Sequence, residues 1–189
     1  YSAMNMLGTH DTPRALTLLG GPDPQLFSTR QERRQYRLSP AERERGVRLL
    51  KTGAVLLYTF PGSPTVFYGD EAGMEGYEDP MNRGTYPWDR EDVDLRSWYA
   101  ALGQLRASRV SLQLGSLRWY CAEGPLLIFF REYNGERTAA VLNSSGTPLS
   151  IQLPWTALQA VDFMTGSKFQ SVNGRLSIDL PALTGMVVI

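Results

Sequence analysis

The 189 residues carry 19 Lys+Arg against 19 Asp+Glu and a single histidine, so the formal net charge is zero, with 42% apolar and 20% charged residues. That balance creates no global field to draw nucleic acid or an anionic membrane, and it suits a neutral partner. One cysteine, Cys121, rules out an internal disulfide framework and a clustered Cys zinc site, and the most apolar stretches, Ala54–Phe60 and Leu126–Phe130, are far too short to span a bilayer.

The first element is a short strand predicted over Asn5–Leu7. The stretch Met6–Arg14, MLGTHDTPR, follows it and holds the only histidine, placed directly before an aspartate. A lone His-Asp pair is more often a local hydrogen-bonding arrangement than a catalytic one. Its place makes His10-Asp11 a candidate: in parallel α/β folds, the residues just past a strand's C-terminal end line the active face.

Ser39-Pro40-Ala41-Glu42 reads as a capping box, with Ser39 as N-cap, Pro40 at the first helical position and Glu42 reaching back. The helix it opens carries Val47, Leu50, Ala54 and Leu57 on one face, and it stops near Pro61-Gly62. Ser63–Tyr68 reads as a short buried strand ended by Gly69. A long polar, Gly-rich loop runs from Asp70 to about Asp92, a length expected of functional or disordered segments. The next helix begins near Asp94 and presents Leu95, Trp98, Tyr99, Leu102 and Leu105 as one stripe.

The long loop carries Asp70, Glu71, Glu75, Glu78 and Asp79, then Arg83, Tyr86, Trp88 and Asp89. Carboxylates interleaved with aromatics suit sugar binding, because ring faces stack on pyranoses while carboxylates and arginine hydrogen-bond hydroxyls. A solvated acidic loop, or a calcium loop with oxygen ligands, would have similar composition. No Asp-x-Asp-x-Asp-Gly spacing supports calcium. Nor is there a Gly-x-Ser-x-Gly elbow, a phosphate loop or a dinucleotide fingerprint.

From about Leu112 the pattern becomes β. Leu126–Arg131 and Arg137–Leu142 flank Tyr133-Asn134-Gly135-Glu136, where Asn-Gly is a strong hairpin signal. Leu149, Ile151 and Leu153 alternate with polar residues, as do Leu176, Ile178 and Leu180, before a final apolar Met186–Ile189. Short strands punctuated by Gly, Asn and Ser predict a small antiparallel sandwich.

Together, GTHDTPR and SPTVFYGDEAGMEGYEDPMNRGTYPWD resemble the last third of the α-amylase family of glycoside hydrolases, in its neopullulanase, cyclomaltodextrinase and maltogenic amylase branch. His-Asp alone is a weak mark. Followed by a strand ending in Tyr-Gly-Asp-Glu, then Asp-Pro-x-x-Arg and Pro-Trp-Asp, it is a specific one. The resemblance implies a fold of the last two β/α units of a (β/α)8 barrel, residues 1–109, followed by a C-terminal β-sandwich, residues 110–189. Asn5–Leu7 and Ser63–Gly69 would then be the seventh and eighth barrel strands, and Ser39–Phe60 and Asp94–Ser108 would hold the seventh and eighth helices.

The resemblance also implies roles. Asp11 matches the family's third invariant carboxylate, which grips sugar hydroxyls at the cleavage subsite and helps distort the ring. His10 matches the neighbouring histidine that hydrogen-bonds the same sugar. Asp79 and Arg83 match the Asp-Pro-x-x-Arg pair that holds a glucose further toward the non-reducing end. Thr9 stands where many relatives have Asn, which marks the neopullulanase-like branch.

The implied substrate is an α-glucan, cleaved with retention through an aspartyl intermediate and a glutamate acid/base. No part of the chain matches the motifs of that nucleophile or that glutamate. The chain also begins at Tyr1, so it reads as a piece of a longer protein and is expected to be inactive alone. No cofactor is implied; calcium is compatible with a longer parent but not indicated in this stretch. The compartment stays open, with cytoplasmic slightly favoured over secreted.

A barrel strand is ordinarily paired on both edges. Exposed strand edges and an uncovered helix stripe are therefore expected to drive self-association unless the sandwich shields them. The alternative is a non-catalytic carbohydrate-binding or structural β-sandwich module, with Trp119, Tyr120 and Trp155 as its candidate platform.

Overall fold

A computed structural model describes residues 3–189. The chain opens with β1 (Met4–Asn5), then three helices: α1 (Ala15–Gly20), α2 (Arg30–Gln35) and α3 (Pro40–Thr59). Strand β2 (Ser63–Pro64) lies parallel to β1, with Met4 opposite Ser63 and Asn5 opposite Pro64. Both strands are shorter than the Asn5–Leu7 and Ser63–Tyr68 expected, and the first is displaced toward the N-terminus. Ladder bonds run from Ser63 N–H to the Ala3 carbonyl and from Thr65 N–H to the Asn5 carbonyl. Met6–Leu7 and the stretch after Thr65 leave that ladder, so the apolar run toward Tyr68 is packed without being strand.

The capping box at Ser39 forms as the sequence requires. Ser39 Oγ accepts from Glu42 N–H at 3.4 Å, and Glu42 Oε2 accepts from Ser39 N–H at 2.7 Å. A second box, Thr29 with Glu32, opens α2. Helix α1 packs closely on α3 because Gly20 and Gly46 face each other; a Cβ on Gly46 would stand 2.8 Å from the Leu16 carbonyl. At the far end of α3, Arg106 donates to the Tyr58 and Phe60 carbonyls at 2.7 and 3.3 Å, and Arg131 donates to Thr59 O at 2.8 Å. Two guanidiniums thus satisfy carbonyls that a helix terminus leaves orphaned.

Beyond an ordered loop with a 3-10 turn at Met81–Arg83 comes α4 (Val93–Ser108), capped by the Asp92 side chain on Leu95 N–H. A short helix α5 (Val110–Leu114) occupies the place where the sequence reading already turned to β. Arg109 closes α4 and opens α5, and Ser111 ties α5 to the β region that follows, its N–H donating to Glu136 Oε1 and its hydroxyl meeting Thr138 Oγ1 at 2.9 Å.

Eight strands follow: β3 (Ser116–Glu123), β4 (Leu126–Tyr133), β5 (Glu136–Asn143), β6 (Leu149–Pro154), β7 (Gln159–Val161), β8 (Lys168–Val172), β9 (Arg175–Leu180) and β10 (Thr184–Val188). They form two four-stranded antiparallel sheets, ordered β10-β5-β4-β3 and β6-β9-β8-β7. The β4–β5 hairpin turns at Asn134 and Gly135, both at positive φ (47° and 85°), as an Asn-Gly turn of primed type demands.

The first sheet is covered on both faces, which explains the unbroken burial of its central strands. Phe129, Ala140, Leu142 and Val187 point into a core shared with Leu50, Ala54, Leu95, Leu102 and Leu105 of the helices. Their neighbours Ile128, Phe130, Ala139, Val141 and Val188 point into a second core with Leu153, Leu176, Ile178 and Leu180 of the other sheet. The α4 stripe is therefore not left uncovered: Leu95 and Leu102 are fully buried beneath α3 and the sheet.

Candidate functional site

The Gly8–Thr12 turn leaves β1 and is organised by two threonines. Asp11 N–H donates to Thr9 Oγ1 at 3.2 Å, and Thr9 N–H donates to Thr12 Oγ1 at 2.9 Å. A hydroxyl at position 9 therefore performs the turn-closing task that a short amide side chain also performs. The turn presents His10 and Asp11 to solvent, with Nε2 of His10 3.2 Å from Asp11 Oδ2. A cavity of about 310 Å³ adjoins them, lined by Gly8–Asp11 on one side and Thr65–Phe67 on the other.

The loop after β2 closes on this turn. Arg83 stands between the two candidate aspartates, with Nη2 3.4 Å from Asp11 Oδ1 and Nε 3.8 Å from Asp79 Oδ1. The same Nε donates to the His10 carbonyl at 3.0 Å. His10, Asp11, Asp79 and Arg83 are thereby brought together, although Asp11 and Arg83 are separated by 72 positions. The Asp79-Pro80 peptide is cis and leads into the 3-10 turn that carries Arg83.

Two supports escaped the sequence reading. Asn82 is buried, and its amide donates to the His10 and Thr12 carbonyls at 3.1 and 3.0 Å. It pins the backbone on both sides of Asp11. Beneath the turn, the fully buried Arg14 donates to the Tyr68 carbonyl, lies 3.5 Å from Asp70 Oδ1 and sits over the Phe67 and Tyr68 rings. Burial pushes the Asp70 carboxyl up to about 6, against the pull of the Arg14 guanidinium. Only the Asp-Pro-x-x-Arg spacing hinted at Asn82, and no local signal marked Arg14.

The acidic loop divides by partner. Glu75 binds Arg43 at 2.6 Å, Asp92 caps α4, and Glu78 pairs with Arg30 at 2.9 Å, an interaction that holds its carboxyl below the usual range. These carboxylates are structural. Asp79 is half-exposed and turned to Arg83 alone. Tyr86 and Trp88 pack with ring centroids 4.6 Å apart and planes tilted by 52°, and Trp88 is 74% exposed on the same loop. Among the described residues, no three His, Cys, Asp or Glu side chains converge in a geometry that could hold a metal ion.

The aromatics of the β region do not make one platform. Trp119 packs on Phe60 and Phe129, on the helix side of its sheet, whereas Tyr120 packs on Phe130, on the opposite side. Trp155 is buried, with its indole N–H donating to the Gln159 carbonyl.

A charged, solvent-open turn thus stands opposite an arginine-bearing loop, at one end of a parallel strand pair. Residues 121–186 match the family model for the Maltogenic Amylase, C-terminal domain. An amylopullulanase of Thermoanaerobacter thermohydrosulfuricus is 31% identical over 204 residues, covering 100% of this chain and 13% of that protein. A cyclomaltodextrinase of Geobacillus thermopakistaniensis is 29% identical, covering 95% of this chain and 28% of that protein. The crystal structure of an Anoxybacillus α-amylase superposes with a TM-score of 0.79 at 26% identity, covering 100% of this chain and 38% of that one. Residues 121–186 thus carry the maltogenic-amylase C-terminal domain, and over its whole length the chain is similar to α-amylase-family enzymes, of which it spans well under half.

Proposed function

We propose that this chain forms the sugar-gripping side of an α-glucan hydrolase site. Residues up to 109 supply the last two β/α units of a (β/α)8 barrel, and residues 110–189 supply the sandwich that follows it. The observation that carries the reading is Arg83 lying between Asp11 and Asp79. In this reading Asp11 accepts hydrogen bonds from two hydroxyls of the sugar at the scissile bond, which favours the flattened ring of an oxocarbenium-like transition state. His10 donates to the same sugar. Arg83 and Asp79 hold a glucose further toward the non-reducing end, with Arg83 also fixing the carboxylate orientation of Asp11.

Retaining cleavage needs a nucleophilic carboxylate and an acid/base carboxyl about 5 Å apart. Asp11 and Asp79 both face Arg83 and match neither role, so the chain by itself binds without turning over. The substrates are starch-like glucans: the relatives' names include amylopullulanase and cyclomaltodextrinase. Self-association would use the unpaired outer edges of β1 and β2 and the exposed Met4 and Met6 beside them.

Titration of the chain with maltoheptaose, followed by amide and side-chain NMR shifts, tests this. Saturable shifts at Gly8–Thr12 and Asp79–Arg83, with no reducing sugar released, are expected. Saturable glucan hydrolysis, or shifts that avoid both segments, would refute it. The second reading, a structural module, draws on the core shared by the helices and the first sheet, and it predicts no sugar-dependent shift at either segment.

A further inference from the structure

A cavity of about 610 Å³ lies away from the Asp11 turn, at one end of the paired sheets. It is formed by the tip of the β4–β5 hairpin, the segment after β6 and the residue that joins α4 to α5. Its volume is that of an ordinary small-molecule site. None of its lining residues belongs to the site described above.

Its walls combine fixed charges of both signs with aromatic surface. Arg137 Nε lies 2.6 Å from Glu132 Oε1, and Arg109 Nε lies 3.7 Å from Glu136 Oε1. Two guanidiniums and two carboxylates cancel, so the cavity has no preference for an anion or a cation. The pairs are also held from behind. Arg109 donates to Thr138 Oγ1 and to the Arg137 carbonyl, Glu136 accepts from Ser111 N–H, and Arg137 lies over the Phe130 ring. Among the described residues, Arg109 Nη1, Arg137 Nη2 and Glu136 Oε2 make no hydrogen bond and so remain to meet a ligand. They stand in set positions, with little entropy left to lose on binding. Trp155 and the half-exposed Tyr133 supply apolar faces beside them.

A ligand that is neutral, rich in vicinal hydroxyls and apolar on its ring faces meets all of these features. We propose that this cavity is a second, non-catalytic site for a short neutral oligosaccharide. Hydroxyls would bridge the paired Arg and Glu side chains, and a sugar face would rest against Tyr133. The site is independent of Asp11 and of the function proposed for it.

The test is a maltotriose titration of the whole chain, read at the Trp155 indole N–H, the Arg137 Nε–H and the Asn134 and Gly135 amides. Saturable shifts at these groups are expected in the unaltered chain and equally in Arg83→Ala, which separates this site from the other. Tyr133→Ala, at the exposed hairpin tip, should weaken the response about fivefold, and Glu136→Gln should weaken it less. Tyr133→Phe should retain it. Shifts confined to residues 8–12 and 79–83, no shift at the Trp155 indole up to the solubility of the sugar, or an equal response in Tyr133→Ala would each overturn the proposal.

Discussion

Arg83 and Asp11 meet at 3.4 Å across two segments 72 positions apart in the chain. The guanidinium also binds the carbonyl of the preceding residue, so a single side chain fixes both the backbone and the carboxylate of the turn. Both partners are open to solvent, and an exposed pair of this kind adds under about 1 kcal/mol to folding. Its importance should therefore appear in binding. Arg83→Ala is expected to leave the denaturant midpoint nearly unchanged while weakening maltoheptaose binding at the Asp11 turn by about tenfold. Arg83→Lys should recover little of this, because a point charge cannot serve Asp11 and the carbonyl together. Calorimetric titration beside urea unfolding separates the two effects.

Asn82 makes the opposite prediction. It is buried, and its amide serves two carbonyls of the turn. Asn82→Ala removes both donors and should cost about 1–3 kcal/mol. Asn82→Asp should be worse, since a carboxylate faces two carbonyl oxygens. Hydrogen exchange at Thr9, Asp11 and Thr12 reports the effect locally: these amides should lose protection before the sheets do. Unchanged exchange in both variants would show that the turn holds itself.

The capping box at Ser39 and the Asn134-Gly135 turn were legible because each is decided within four residues; the Asp92 cap was equally local but went unread, the helix being started near Asp94. By the same logic the Thr29–Glu32 box was available and marks a helix that the reading passed over. The short extents of β1 and β2 were not legible, since a ladder's length depends on partners far along the chain. Leu126–Phe130 looked like one apolar run because Phe129 and Phe130 serve two different cores, a fact that only the stacking of helices on the sheet reveals. At the site, Asp11, Asp79 and Arg83 were named through the family resemblance. Arg14 and Asn82 act through contacts with residues more than fifty positions away, which no local pattern encodes.

Gly46 and Gly53 lie on the same helix and should respond oppositely to alanine. In a helix interior, Gly→Ala ordinarily gains about 1 kcal/mol. At Gly53 the new Cβ meets only the flexible end of Leu7, at 3.2 Å, so most of that gain should be realised. At Gly46 it meets the Leu16 carbonyl at 2.8 Å and the Gly20 backbone at 3.1 Å, neither of which can move without separating α1 from α3. Gly46→Ala is expected to destabilise by about 1–3 kcal/mol despite the better helix propensity. Urea midpoints of the two variants give the signs directly.

Asp70 sets the last expectation, a pH dependence of stability. Its carboxyl is pushed from an ordinary 3.8 up to about 6 in the folded chain, chiefly by burial. A group with a raised folded pKa binds its proton more tightly folded than unfolded. Stability is therefore lost as pH rises between about 4 and about 6, by on the order of 3 kcal/mol. Glu78, Glu132 and Glu136 are shifted the other way, so their contribution is gained as pH rises toward 4.5 and is complete in the upper part of that window. The unfolding free energy should thus climb through the acid range and then decline toward about pH 6. Asp70→Asn has no proton to lose, so the decline should vanish in that variant whatever its absolute stability with Arg14 still buried beside it. Urea unfolding across the pH series reads both curves, and a decline that persists in Asp70→Asn would assign it to another group.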